Sequence, residues 1–570
     1  MQVIKRDKTK EVFQTDKIKK AVEKAFESCN KEPDYSVIDC IQNIYNIDSD
    51  DEVGVEEIQD NVENCLMDID KDVAKAYIIY RYSHKVIRET NDKLFKDITK
   101  KLLANDVQNQ NANLDEYSFG GRKGEVTELV LKDYALKHCM SRKTRNNHLN
   151  NEIYIHDLGS YADGEHNCLT LPIDNLLRDG TITRQVDIRP ANSINTAFQL
   201  LAVYFQIQSL QQFGGVAVSH LDWTMVPYVR KSFFKHFVEC YICDEAKTEN
   251  IDFNALSSEE LDNYKASKRE KFKTKYNISD EDFTMGDFKI KVAKFHVDDE
   301  NIKSINKDWY NKAYYETKNE LNQAVEGLYH NLNSLQSRSG NQLPFSSVNY
   351  GTCTLPEGQM VIEALLDGSL KGTGKNHLTP IFPCGIFQVG NGINKHPGEP
   401  NYFLFRKALK STAKRIYPNY ANLDWSGNEG YDKNDPRTYF STMGCRTANG
   451  YDINAEEGQN PQLKDGRGNI CPQTIIMPTL AMEVLEDSEV EGLRRGVILG
   501  DKEKKVDKFM RLLSRKIDQA KDSLIERFER IASQNPKSAS FMWDNRTMFG
   551  YKKEEGIRSA LKHGTLAVGY

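Results

Sequence analysis

The stretch "STMGCRTANG" sets Cys445 between Gly444 and Arg446, after an apolar approach of Tyr439, Phe440 and Met443. A thiol in a glycine-rich bend, with no cysteine beside it, is either a small packing residue or a reagent. Glycine at such a bend lets the sulfur approach a bound molecule closely. Other phrases carry polar residues where strand filler is expected. "IYIHDL" ends a strand on His156 and Asp157. "HNCL" opens the next on Asn167 and Cys168, and "DGRGNICPQT" sets Asn469 in a glycine loop. Polar residues at strand ends, joined by glycine loops, make the pattern of a barrel mouth. "IIMPTLAMEVLE" places Pro478, Thr479 and Leu480 at a helix start after a strand. Free backbone N–H groups there would form an anion site, unless the helix is simply capped.

Near the N-terminus, Lys5, Arg6, Lys17 and Lys20 gather on a hairpin and the helix after it, with His84 and Lys85 on a later helix. Such cations suit a polyphosphate or are a solvated basic face. Cys240 and Cys243 form a lone CxxC without a second pair, which favours packing over zinc. Cys384 in "FPCG" lies near a strand end and is a second, weaker candidate for a reactive thiol.

The elements that must position these groups fall into two sets. Val3 and Ile4, a turn at Asp7-Lys8, and Glu11 to Phe13 read as a hairpin. Asp16 then caps a helix whose face is Ile18, Ala21, Val22, Ala25 and Phe26. "VGVEEIQDNVENCLMDI" and "KDVAKAYIIYRYSHKVI" read as two more helices, closing a module near residue 90. Beyond it, short apolar strands alternate with longer helices. Strands are expected in "EIYIHDL", "HNCLTLPI", "QLPFSSVNYGTC", "TPIFPCGIFQV", "TYFSTMGC", "NICPQTIIMP" and "SASFMWD". Helices are expected in "SINTAFQLLAVYFQIQSLQQF", "QAVEGLYHNLNSLQ", "FRKALKSTAKRIY" and the long segment from Lys505. The alternation predicts an α/β body with a largely parallel sheet. Residues 244–311, dense in charge, read as a surface insertion.

With 570 residues, 39% hydrophobic and 28% charged, the chain has the composition of a folded globular protein. A net charge of -6 gives no electrostatic case for nucleic-acid binding. No apolar run reaches the roughly 18 residues of a membrane helix. The start "MQVIKRDKTK" lacks the apolar core of a signal peptide. Eleven scattered cysteines suit a reducing cytoplasm, most of them as buried small hydrophobes. No partner nucleic acid or membrane is expected.

"VIKRDK", "EVFQTDKI", "VEEIQDNVE" and "AYIIYR" together resemble the ATP-cone, a regulatory module that binds ATP or dATP. The resemblance implies a pocket lined by Lys5, Arg6, Glu11, Lys17 and His84, with Val55 and Gln59 near the base. The body, with "NAN", "IHDL", "NCL", "QQFGGV", "SRSGNQLPF", "MGCR" and "LKHGTLAVGY" in order, resembles the anaerobic, class III ribonucleoside-triphosphate reductases. That family implies a ten-stranded α/β barrel with a finger loop, here over 93–570, after a small α+β ATP-cone over 1–92. It implies Cys445 as the thiyl carrier at the finger tip. Cys168 and Asn469 then mark the subgroup that takes electrons from formate, and His156 orients the sugar or a proton path. Thr479 and Leu480 would meet substrate phosphate. Further implications are a dNTP specificity site, a homodimer or larger nucleotide-dependent assembly, and a radical-SAM activase as partner. The family's glycyl radical and zinc site lie in a C-terminal segment beyond "LKHGTLAVGY", so Gly569 is not read as the radical glycine and no metal site is expected in these residues. The alternatives are a nucleotide-sensing ATP-cone protein without self-sufficient catalysis, or another glycyl-radical-type enzyme. A lyase of that type would show adjacent cysteines where Arg446 follows Cys445.

Overall fold

Val22, Ala25 and Phe26 recur at helical spacing and form the buried face of the helix Thr15–Ser28. In the computed structural model, the described residues are 1–5, 9–45, 52–103, 114–338, 340–485 and 502–570, without the side chains of 84–93 and 502–503. They divide into two compact units, 1–103 and 104–570.

In the first unit, Gln2–Ile4 pairs antiparallel with Lys10–Val12, Val3 lying opposite Glu11. The expected Asp7-Lys8 turn lies outside the described residues. Gln2–Ile4 also pairs in parallel with Glu52–Gly54, a short strand that leads directly into the helix Val55–Ile69. A further helix, Ser36–Ile44, buries Val37 and Ile41. The expected cap at Asp16 is corrected. The helix starts two residues earlier than that cap implies, at Thr15, and Gln14 precedes it without a side-chain cap. Asp16 lies in the first turn, where its charge faces the positive end of the helix. Cys40 and Cys65 form a disulfide between two helices, so this pair is not the pair of separate small hydrophobes expected. The other nine cysteines are free.

The second unit is built on a five-stranded sheet in the order Asn419–Asn422, Cys384–Val389, Ser346–Tyr350, Val216–Val218, Leu169–Thr170. All four pairings are parallel. Parallel strands need long crossovers, and helices Lys307–Ser334, Pro356–Lys371 and Tyr402–Arg415 lie in them. Burial on both faces follows, and every residue of Ser346–Tyr350 is buried. A second sheet pairs Asn469–Ile475 in parallel with Thr565–Gly569 and antiparallel with Ile153–Ile155. The two sheets meet through backbone bonds: Asn167 N–H to Ile470 O at 2.9 Å, Cys168 N–H to Asn469 O at 2.9 Å and Gly466 N–H to Thr170 O at 2.7 Å. The unit is therefore α/β. Among the described residues the strands do not close into a ten-membered ring.

Two local expectations change. "SASFMWD" is helical at Ser540–Asp544, not a strand. Its apolar run is too short for periodicity to separate the two states, and Phe541, Met542 and Trp543 are buried in either. "TYFSTMGC" is a loop, with a single bridge between Thr442 and Ala448. Residues 244–311, expected as a surface insertion, also differ. They contain the helix Ser258–Lys275 and the hairpin Asp280–Met285 with Phe288–Ala293. Phe272 and Phe295 are both fully buried and join the main core. The charged side chains cover its outer face and mask this alternation in the sequence.

Candidate active site

Cys445 sits at the tip of a tight loop. Met443 N–H bonds to Thr447 O at 3.0 Å and Arg446 N–H to Met443 O at 2.8 Å, which closes the loop around the cysteine. Arg446 takes a left-handed φ of 66° to complete the bend. Gly444 is required by proximity: a Cβ there would lie 2.3 Å from Phe345 Cε1. Met443 is buried and packs with Cys168 and Ala217, so it anchors the loop while Cys445 stays exposed.

The loop tip meets the join between the sheets. Cys445 Sγ lies 3.6 Å from Cys168 Sγ, although 277 residues separate them. Cys168 is buried, receives a hydrogen bond from Gly215 N–H at 3.2 Å, and has Asn167 Oδ1 at 3.2 Å as a second acceptor for its thiol. The two sulfurs differ in their hold on a proton. Hydrogen bonding from Cys168 pulls the Cys445 thiol down to about 6, helped by Thr447. The same contact, with burial, pushes Cys168 well above the ordinary thiol range. The contact therefore favours one shared proton, held on the buried sulfur.

This asymmetry has a direct readout. Alkylation of Cys445 should level off above about pH 7, because its thiolate is then fully formed. In Cys168→Ala the donor is lost, and the inflection should rise by about 2 pH units toward the ordinary thiol value near 8.5. A pH profile that is unchanged in the variant would contradict the shared proton.

Asn469 stands beside this pair because its carbonyl accepts from Cys168 N–H. It is buried, and its Oδ1 has no hydrogen-bond partner among the described residues. A buried amide oxygen of this kind is costly unless something donates to it. Asn449 ties the far side of the finger to the glycine loop, its Nδ2 donating to Lys464 O and Arg467 O, each at 3.0 Å. Arg338 is also close enough for its charge to bear on Cys168, and burial lowers its own pKa.

The remaining expected residues are placed differently. His156 bonds through Nε2 to Thr474 Oγ1 at 2.8 Å, five residues along the strand from Asn469. At about 3.3 Å per residue that is roughly 16 Å of strand. Burial lowers its pKa, so the ring is neutral. Thr479 Oγ1 accepts from Asn151 Nδ2 at 3.2 Å. The expectation of a free amide at Leu480 is corrected: its N–H is directed to Ile476 O at 3.3 Å within the helix Met477–Glu483, and its side chain is fully buried. Cys384 Sγ lies 3.4 Å from the Tyr417 hydroxyl, and Cys240 Sγ bonds to His236 O within its own helix. Neither joins the thiol pair.

In the N-terminal unit, Lys5 and Lys17 both pair with Glu11, whose carboxyl is lowered by Lys17 first and Lys5 second. Val55 opens the helix Val55–Ile69, and Gln59 follows one turn later. Arg6 and the His84 side chain lie outside the described residues.

Residues 110–570 match the anaerobic ribonucleoside-triphosphate reductase family, and residues 1–86 match the ATP cone domain. The chain belongs to the anaerobic ribonucleoside-triphosphate reductases, a family of oxidoreductases, with an ATP cone at its N-terminus. It is 25% identical to the anaerobic ribonucleoside-triphosphate reductase of Haemophilus influenzae, over 100% of this chain and 69% of that protein. It is 24% identical to that of Escherichia coli, over 100% of this chain and 68% of that protein. A crystal structure of the anaerobic ribonucleotide reductase from Thermotoga maritima in complex with dATP and CTP aligns at 12% identity and a TM-score of 0.48, covering 86% of this chain and 66% of that one. The chain thus spans about two thirds of the length of these relatives. No helix among the described residues is long and apolar enough to cross a membrane.

Sequence reasoning missed the residues that hold the finger in place, Asn349, Gln388 and Asn449. The available signal was a polar residue inside an apolar strand, as in "FSSVNYG".

Proposed function

We propose that the chain reduces ribonucleoside triphosphates to 2′-deoxyribonucleoside triphosphates, with formate as reductant and ATP or dATP as regulator. The observation that carries this reading is the 3.6 Å approach of Cys445 on a loop tip to Cys168 at the sheet junction. One sulfur is exposed, with its pKa lowered by the contact, and the other is buried, with its pKa raised. Two sulfurs so unlike can serve different steps.

Cys445, carrying its proton for this step, would give the hydrogen atom of its thiol to a glycyl radical supplied from outside the described residues, which would leave a thiyl at Cys445. The exposed position of Cys445 at the loop tip fits such an encounter. Cys445 then removes the 3′-hydrogen of the ribose and returns it at the end. Cys168 delivers its proton as the 2′-hydroxyl leaves as water. Asn469 Oδ1, buried and without a protein donor, accepts from a ribose hydroxyl and orients the sugar. Formate supplies two electrons and leaves as carbon dioxide. The sum is ribonucleotide, formate and a proton giving deoxyribonucleotide, carbon dioxide and water. Thr479, at the start of the helix after the Asn469 strand, is the candidate phosphate contact. His156 supports the strand through Thr474, about 16 Å of strand from Asn469, so a proton it relays would reach the sulfurs only through intervening groups. The eight strands of the two sheets that join at Cys168 and Asn469 would be arcs of the family's barrel. Residues 93–570 are then the catalytic domain, acting as a homodimer.

Residues 1–92 are the regulatory domain. Lys5 and Lys17, now both paired with Glu11, would turn to the phosphates of ATP or dATP, with Val55 and Gln59 against the base. Lys17→Ala should weaken ATP binding about tenfold, the worth of one charge-assisted contact. Calorimetric titration checks this, and an unchanged affinity would remove Lys17 from the pocket. The reading as a whole is tested by deoxyribonucleotide formation under anaerobic conditions, with and without the Cys445 sulfur.

A further inference from the structure

A loop tip that must hold a reactive sulfur against its partner needs a fixed backbone, yet residues 440–448 have little regular structure of their own. The bonds that fix them come from side chains. Asn349, fully buried on the strand Ser346–Tyr350, donates from Nδ2 to Thr442 O at 2.9 Å and accepts at Oδ1 from Thr442 N–H at 3.1 Å. Its Nδ2 also donates to Val218 O at 2.9 Å, on the neighbouring strand. One planar amide thus reads both backbone groups of Thr442, as a partner strand would, and ties them to the sheet. Gln388, fully buried on the adjacent strand Cys384–Val389, repeats the grip two residues earlier, donating from Nε2 to Phe440 O at 2.9 Å.

Thr442 is three residues before Cys445. The hold passes to the tip through the Thr442–Ala448 bridge and the Met443 N–H bond to Thr447 O. Met443, between the held residue and the tip, is clamped against Cys168. The distance between the two sulfurs is therefore set by which backbone atoms Asn349 can reach. We infer that Asn349 is the principal positioning residue of the finger loop, with Gln388 as its auxiliary, and that its amide fixes Cys445 against Cys168.

Only the activity readout of this inference rests on the proposed function. The geometric readout is formation of the Cys168–Cys445 disulfide in the full-length protein, driven by diamide under anaerobic conditions. The two thiols lose two hydrogens to the diazene, which becomes a hydrazine, and intact-peptide mass records the loss. Asn349→Leu keeps the volume and removes all three bonds. Asn349→Asp keeps the acceptor and loses both donors. Cross-linking should slow at least about tenfold in Asn349→Leu and less in Asn349→Asp. Turnover should fall about 100-fold in kcat, with KM within about threefold, the pattern of a misplaced reactive group rather than lost binding.

Hydrogen exchange guards against a variant that fails to fold. In the unaltered protein the Thr442 amide should be strongly protected. Rapid exchange there would overturn the inference whatever the variants do. Cross-linking in folded Asn349→Leu within twofold of the parent would overturn it too. Slowed cross-linking alongside a parent protein that makes no deoxyribonucleotide would sustain the positioning role and remove the proposed reaction.

Discussion

Replacing Cys445 by alanine should abolish deoxyribonucleotide formation, by at least about 10⁴-fold, while leaving nucleotide binding to residues 1–103 unchanged. The size of the effect follows from chemistry. Removing a hydrogen atom from a ribose carbon needs a one-electron oxidant placed against one face of the sugar. Among the described residues, Cys445 is the sulfur that is both exposed at a loop tip and held next to a second thiol. Alanine leaves Gly444, Arg446 and the Met443 anchor in place, so the loop itself should persist. Cys384→Ala is the matching control. That sulfur is buried and bonds to Ile381 O and the Tyr417 hydroxyl rather than to either thiol of the pair, and its loss should leave turnover largely intact. Residual turnover in Cys445→Ala above about one percent of the parent, on the scale of losing one essential group, would transfer the radical role elsewhere.

The second large effect is on stability. A Cβ on Gly468 would lie 1.8 Å from Cys168 O, 2.7 Å from its carbonyl carbon and 2.9 Å from Leu169 Cα. These are backbone atoms and no side chain can rotate away. The strands would have to part, which disturbs Cys168 N–H to Asn469 O at 2.9 Å and Thr565 N–H to Gly468 O at 2.8 Å. Gly468→Ala should therefore cost about 3 kcal/mol or more, combining overpacking with broken buried bonds. Gly450→Ala is the control, since a Cβ there meets nothing within 4 Å, and it should stay within about 0.5 kcal/mol. Denaturant midpoints with unchanged slopes separate the two. Equal midpoints would mean that the junction of the two sheets is looser than the close approach of Gly468 to Cys168 requires. The same substitution should also disturb the thiol pair, because Gly468 backs the backbone of Cys168.

The pattern of what the sequence revealed is physical. Cys445 stood out as a lone thiol in a glycine bend, a pattern that fits packing as well as chemistry, and the family resemblance gave it its role. Cys168 and Asn469 stood out as polar residues at the ends of apolar runs. That these groups converge was not legible from spacing. The contact between Cys168 and Cys445 spans 277 residues and depends on how two sheets meet. The strands Ser346–Tyr350 and Cys384–Val389 were readable as apolar runs, whereas Val216–Val218 is too short to stand out. Residues 244–311 misled because Asp280, Asp282, Lys289 and Lys291 on the outer face alternate with Phe283, Met285, Ile290 and Val292 on the inner one. Asn349 was marked only as a polar residue inside an apolar strand, and its role was not legible. Its partners are backbone atoms, which leave no trace in residue type.

The most direct measurement is product formation by the full-length protein under anaerobic conditions, with its radical generated, formate present and CTP as substrate. Chromatography of the nucleotides should show dCTP accumulating with an equal amount of carbon dioxide from formate, and none in Cys445→Ala. A parent protein that carries its radical and binds CTP but forms no dCTP, or a Cys445→Ala variant that forms it at the parent rate, would contradict the assignment of the thiol pair as the site of ribonucleotide reduction.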